Sequence, residues 1–142
     1  MTFYLSEADI DRIGRGVIDR TLPKAEWTHA AHFAAAFWLY KRSHLDPMHA
    51  MPGLIRAYNE ATGVANTDST GYHETITMAS LRAARAWLDT HADTAMHEAL
   101  EAMLASEFGR SDWLLAYWTK PRLFSVEARR SWAEPDLKAL PF

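Results

Sequence analysis

Cysteine is absent from the 142 residues, which removes disulfides, thiolate metal sites, iron–sulfur clusters and cysteine nucleophiles together. Any metal must therefore rest on His, Asp or Glu. Glycine and proline number only six each, too few for a collagen-like chain or a flexible linker. No apolar run approaches the ~20 residues that span a bilayer; the longest, residues 30–40, is interrupted by His32. A signal peptide is not expected either, because the apolar start Met1–Leu5 gives way at once to Glu7, Asp9 and Asp11. Charge bias is missing too. Fifteen basic against eighteen acidic side chains leave a net charge of -3, with no global drive toward nucleic acid or an acidic membrane. These absences predict a cytoplasmic protein without nucleic-acid or membrane partners.

What is present is a chain with 49% hydrophobic and 23% charged residues, the composition of one folded domain rather than a disordered segment. Seven His and six Trp stand out in so short a chain. Apolar residues recur at helical spacing throughout and strand-like alternation is missing, so the fold class is all-α. Ser6 caps a first helix carrying Ile10, Ile13, Val17 and Ile18, with Gly14 and Gly16 weakening its end. A second helix starts between Pro23 and Thr28 and runs to about Arg42; its stretch 30–40 reads as the buried centre of the domain. Asp46-Pro47 opens a third that reaches Gly63 and is bent by Pro52. The spacing predicts a fourth helix from Tyr72 to about Thr90 behind a Ser69 or Thr70 cap, and a fifth over 94–108. A sixth is expected from Ser111 to Lys120-Pro121, and a short seventh after Ser125. The expected architecture is a single compact bundle of five to seven helices over 1–142, with an irregular tail from about residue 133.

Two groups of residues carry chemistry. In Glu26-Trp27-Thr28-His29-Ala30-Ala31-His32, positions three apart on a helix lie roughly 60° apart in rotation and one turn along the axis. His29 and His32 thus share a face, which Glu26 joins if the helix already includes it, and together they can chelate one ion. As core histidines they would instead be satisfied by carbonyls or by Glu26. The second group is the polar loop Asn66-Thr67-Asp68-Ser69-Thr70-Gly71 with Tyr72-His73-Glu74. Adjacent helical residues point about 100° apart, so His73 is taken as a third ligand, leaving Glu74 as a hydrogen-bonding partner behind the ligands or as the general base. The alternative is capping and turn chemistry alone.

The segments Leu22-Pro23, Trp27-Thr28-His29 with His32, Tyr58-Asn59 with Gly63, Asn66-Thr67-Asp68 and Gly71-Tyr72-His73-Glu74-Thr75 resemble a family of small, uncharacterised bacterial all-helical proteins. The resemblance covers roughly the first two thirds of the chain. It implies no activity; it implies that these segments form one constellation.

Joined, they give a metal set of His29, His32 and His73, with Glu26, Asp68 or Glu74 as a fourth ligand. Three His with an open position suit Zn²⁺, and two His with one carboxylate suit non-haem Fe²⁺. Glu26, Asp68 and Thr77 could fix the imidazole tautomers. Asn66, Asp68, Tyr72, Lys120 and Arg122 are expected to orient a small polar or anionic substrate, with Trp27 as a wall. Trp38, Trp87, Trp113 and Trp118 read as core, and His44, His49, His91 and His97 as ordinary residues near helix ends. Arg129-Arg130 reads as a solvated face. The leading expectation is a metal-dependent enzyme, hydrolysis by default. The competing ones are a metal-free module for a small-molecule ligand, and a homo-oligomeric helical protein whose surplus Trp forms the interface.

Overall fold

The computed structural model describes residues 6–142, and the apolar start Met1–Leu5 lies outside the described residues. The fold is all-α: seven α-helices and three single 3₁₀ turns, with no strand among the described residues. Helix α1 (Glu7–Asp19) starts as expected at Ser6, whose hydroxyl accepts the Asp9 N–H at 3.3 Å. It ends on Arg20 in the left-handed region, φ 61°. Gly14 and Gly16 lie inside the helix and do not end it. Both are contact positions: a Cβ at Gly14 would overlap the Trp38 ring, and one at Gly16 would stand 2.9 Å from the Leu22 side chain.

A 3₁₀ turn at Lys24–Glu26 precedes α2 (His29–Arg42). Thr28 is the N-cap, its hydroxyl accepting the Ala31 N–H at 3.2 Å. Glu26 therefore lies outside the helix, two residues before its N-cap, and does not share the face of His29 and His32. Ala31 and every residue from Phe33 to Leu39 are buried, so α2 is enclosed on nearly all sides. Small alanines on such a helix let its neighbours approach closely, and α1, α3, α4 and α5 all pack against it.

Asp46 caps α3 (Pro47–Ala61), which runs on through Pro52; Gly63, at φ 84°, follows its end. Helix α4 (Glu74–Thr90) begins two residues later than the apolar spacing suggested, and its cap is His73 instead of Ser69 or Thr70. Helix α5 (Met96–Ala105) stops at Ser106, short of the expected Phe108. The predicted sixth helix over 111–120 does not form. Instead, 3₁₀ turns at Glu107–Gly109 and Trp113–Ala116 lead to α6 (Lys120–Leu123). Pro121 lies in the first turn of α6, where its missing N–H has no helical partner to lose. Lys120-Pro121 thus opens a helix rather than closing one. Ser125 caps α7 (Val126–Arg130) through the Ala128 N–H at 3.1 Å.

Residues after α7 are irregular yet docked. The Thr75 hydroxyl donates to the Ser131 carbonyl and accepts the Ala133 N–H, both at 3.0 Å. The indole of Trp118, fully buried, donates to the Ala133 carbonyl at 2.9 Å. Trp38, Trp113 and Trp118 are core residues, and Trp27, Trp87 and Trp132 pack against the core half-buried. Half of the tryptophan surplus is thus in the core and the other half packs against it. No helix among the described residues is long and apolar enough to cross a membrane.

Candidate functional site

The first two turns of α2, the first two turns of α4 and the segment around the 3₁₀ turn at Leu114 enclose a cleft of about 280 Å³. Its lining is His29, His32, Phe33, Ile76, Ser80, Ser111 and Leu114. A narrower recess sharing His32, Ile76 and Ser80 continues beside Thr77, toward Met51 and Ile55 of α3. The i,i+3 spacing of the two histidines does what the sequence suggested: both rings reach the same cleft.

Each imidazole is fixed by one backbone carbonyl. The His29 Nε2 meets the Phe108 carbonyl at 2.8 Å, and the His32 Nδ1 meets the Thr28 carbonyl at 2.6 Å. A carbonyl oxygen only accepts, so these nitrogens carry the protons. In the neutral rings the lone pairs are then on His29 Nδ1 and His32 Nε2. The His32 ring stacks on Trp27 with centroids 3.8 Å apart, and His29 sits edge-on to Phe33 at 5.3 Å. Trp27 thus walls the site through His32. Burial pushes His32 down to about 4; the Thr28 carbonyl opposes this and the neighbouring His29 adds to it. At pH 7 only about one His32 in a thousand is protonated.

His73 does not join them. Its Nδ1 accepts the Ile76 N–H at 3.1 Å, and its Nε2 donates to the Leu123 carbonyl at 2.7 Å. Both ring nitrogens are thereby used, one to cap α4 and one to tie it to α6. Burial also lowers the basicity of this ring. Among the described residues no group of three or more His, Asp or Glu is arranged to hold a metal. The three-histidine set is therefore not assembled. Its members are separated because His73 faces a carbonyl fifty residues away, which no local spacing reveals.

The other expected site residues lie elsewhere. Glu26 pairs with Arg12 at 2.7 Å on the surface. Asp68 is exposed in a two-pronged pair with Arg130, at 2.8 and 2.6 Å, and the guanidinium holds its carboxyl below the usual range. Arg130 is thus paired and not merely solvated. Lys120 and Arg122 are exposed on α6, where the Arg122 Nε donates to the Glu134 carbonyl at 2.5 Å. Glu74 accepts the Tyr72 phenol at 2.5 Å. Burial, then the Glu74 carboxylate, raises the phenol far above its ordinary value, and Thr77 opposes them. Of these residues only Thr77 lines the recess.

Asn66 organises the loop before α4. Its Oδ1 accepts from Asn59 Nδ2 and from the Tyr72 N–H, both at 3.0 Å, and its Nδ2 donates to the Arg56 carbonyl at 3.1 Å. Gly71 has φ 78°, and a Cβ there would lie 2.7 Å from Asn66 Oδ1. Arg129 holds the same loop through the Gly71 and Tyr72 carbonyls. At the other end, the Tyr58 hydroxyl donates to the Leu22 carbonyl at 2.7 Å while its ring packs on Trp27. The Leu22, Trp27, Tyr58 and Asn66–Tyr72 segments are therefore linked by one framework, whose polar groups mostly satisfy each other. Ser80 and Ser111 are the lining residues that sequence reasoning missed. A serine in mid-helix and one in a 3₁₀ connection carry no local signal of a shared cavity.

No family model, curated protein or solved structure matches this chain.

Proposed function

We propose that the protein binds a small molecule in the His29–His32 cleft, as a metal-free module in which the His32 Nε2 lone pair accepts a hydrogen bond from the ligand. The observation that carries this is the fixed tautomer of His32: Nδ1–H is committed to Thr28 O at 2.6 Å, and among the described residues Nε2 has no hydrogen-bond partner. The depressed basicity of the ring supports binding over proton transfer. A general base works best with a pKa near the working pH, and a ring held near 4 is some three units too weak at pH 7. As an acceptor it is always available. The Trp27 stack and the two carbonyls hold the rings in place, so little orientational entropy remains to be lost on binding.

A second reading, favoured by the same hydrogen bonds, is a divalent ion on His29 and His32. Ligating histidines commonly donate their other N–H to a carbonyl, as both do here. Two imidazoles alone leave Zn²⁺ or Fe²⁺ short of protein ligands, so water or substrate would complete the sphere. Any enzymatic reading, hydrolysis included, rests on that ion.

Isotope-labelled protein separates the two. Addition of a panel of small neutral, anionic and cationic fragments should shift the His32 ring resonances and the Ile76 and Ser80 amides, and His32→Ala should abolish those shifts. Fragments that leave this cleft untouched would end the binding proposal. Stoichiometric uptake of Zn²⁺ or Co²⁺, lost in both His29→Ala and His32→Ala, would replace it with the metal reading.

A further inference from the structure

Among the described residues, the lining of the cleft contains no Asp, Glu, Lys or Arg, and the recess beside it contains none either. Its polar groups are two imidazoles and the hydroxyls of Ser80, Ser111 and Thr77. Four of the acidic and basic residues that sequence reasoning assigned to a ligand are occupied or remote. Asp68 is paired with Arg130, Glu74 takes the Tyr72 phenol, Arg122 is bound to the Glu134 carbonyl and Lys120 is exposed on α6.

From this arrangement we infer that the ligand is an uncharged molecule that combines a hydrogen-bond donor, such as a carboxamide N–H or an alcohol O–H, with a compact apolar body. The inference rests on the cleft being the binding site and adds the chemical class of what enters it. A carboxylate or phosphate finds no cation there and meets the lone pair of His32, which is repulsive. An ammonium finds a lone pair but no counter-charge, and burying an uncompensated charge costs far more than one hydrogen bond returns. A neutral donor answers the His32 lone pair directly, and a carbonyl or hydroxyl on the same molecule can accept from Ser80 or Ser111. Phe33, Ile76 and Leu114 supply the apolar remainder of the wall. A volume of about 280 Å³ is at the lower edge of small-molecule pockets, which restricts the ligand to a compact one.

Matched probes test the class. Benzamide, benzoate and benzylammonium share one shape and differ in charge, and propionamide, propionate and propylammonium repeat the comparison at smaller size. Titrated against isotope-labelled protein at pH 7, each amide is expected to bind at least tenfold tighter than its charged partners, with shifts at His32, Ile76 and Ser80. His32→Ala should bring the amides down to the level of the charged probes. Carboxylates or ammoniums that bind in the cleft as tightly as the amides would overturn the class while leaving the site in place. If all six probes leave the cleft resonances unmoved, the binding site itself is wrong and the class falls with it.

Discussion

His73 Nε2 donates to the Leu123 carbonyl at 2.7 Å while its Nδ1 accepts the Ile76 N–H, so one buried side chain both starts α4 and anchors α6. A residue of this kind is structural. His73→Ala should lower the unfolding free energy by about 1–3 kcal/mol, the cost of a lost cap together with a carbonyl left without its donor. His73→Asn, which can still cap the helix, should recover part of that loss. Urea denaturation measures both. Ligand or metal uptake at the His29–His32 cleft should be unchanged in the Asn variant.

Stability should depend on pH through His32. The unfolded chain takes up a proton near 6.5, whereas the folded ring does so only near 4. Between those values the unfolded state holds more protons. The contribution is therefore complete above pH 6.5 and is lost as the pH falls toward 4, by up to roughly 3 kcal/mol. His73 shifts in the same direction. Urea midpoints at pH 7.5 and 4.5 should differ accordingly, and His32→Asn should flatten the dependence; a midpoint that does not move would contradict the burial of the ring.

Gly14→Ala should be destabilising although alanine is the better helix former. The added methyl meets the Trp38 ring, whose indole is held by Asp11 Oδ1 at 2.7 Å and cannot swing away without losing that bond. Overpacking of this kind costs about 1–3 kcal/mol. Thermal unfolding gives the loss, and a changed near-ultraviolet dichroism reports the displaced indole.

Thr75→Val should free the segment after α7. The two hydrogen bonds of the Thr75 hydroxyl, to the Ser131 carbonyl and from the Ala133 N–H, have no replacement in valine. Both backbone groups would be left unpaired, at about 1–3 kcal/mol. Limited proteolysis after Arg130 should become faster than in the parent protein, with α1 to α5 protected as before.

The parts legible in the sequence are those decided within one turn of chain. Ser6, Asp46-Pro47 and Ser125 open their helices as their side-chain chemistry requires, and the pairing of His29 with His32 follows from helical spacing alone. Failures arise where a distant partner decides. His73 is not among the usual capping residues, so the sequence pattern points to a start at Tyr72 behind Ser69 or Thr70. Its true role needed Leu123. Glu26 was separated from the histidines because the chain turns in a 3₁₀ step before Thr28 begins the helix. Between Ser106 and Lys120, the apolar residues Trp113, Leu114, Tyr117 and Trp118 have nearly helical spacing and are all buried. That spacing is satisfied by separate short turns as well as by one helix, and periodicity does not distinguish them.

Two of the walls of the cleft differ in how they can respond to what enters. Helix α2 is buried from Phe33 to Leu39, and amides in such an element exchange with solvent only when the whole domain opens. The wall at Ser111 and Leu114 belongs to a single 3₁₀ turn and the short connection before it, the kind of segment that opens locally and often. An entering molecule would thus meet a stationary acceptor on one side and a yielding surface on the other. Discrimination by hydrogen-bond chemistry would be strict, and tolerance for the bulk of the apolar part comparatively broad.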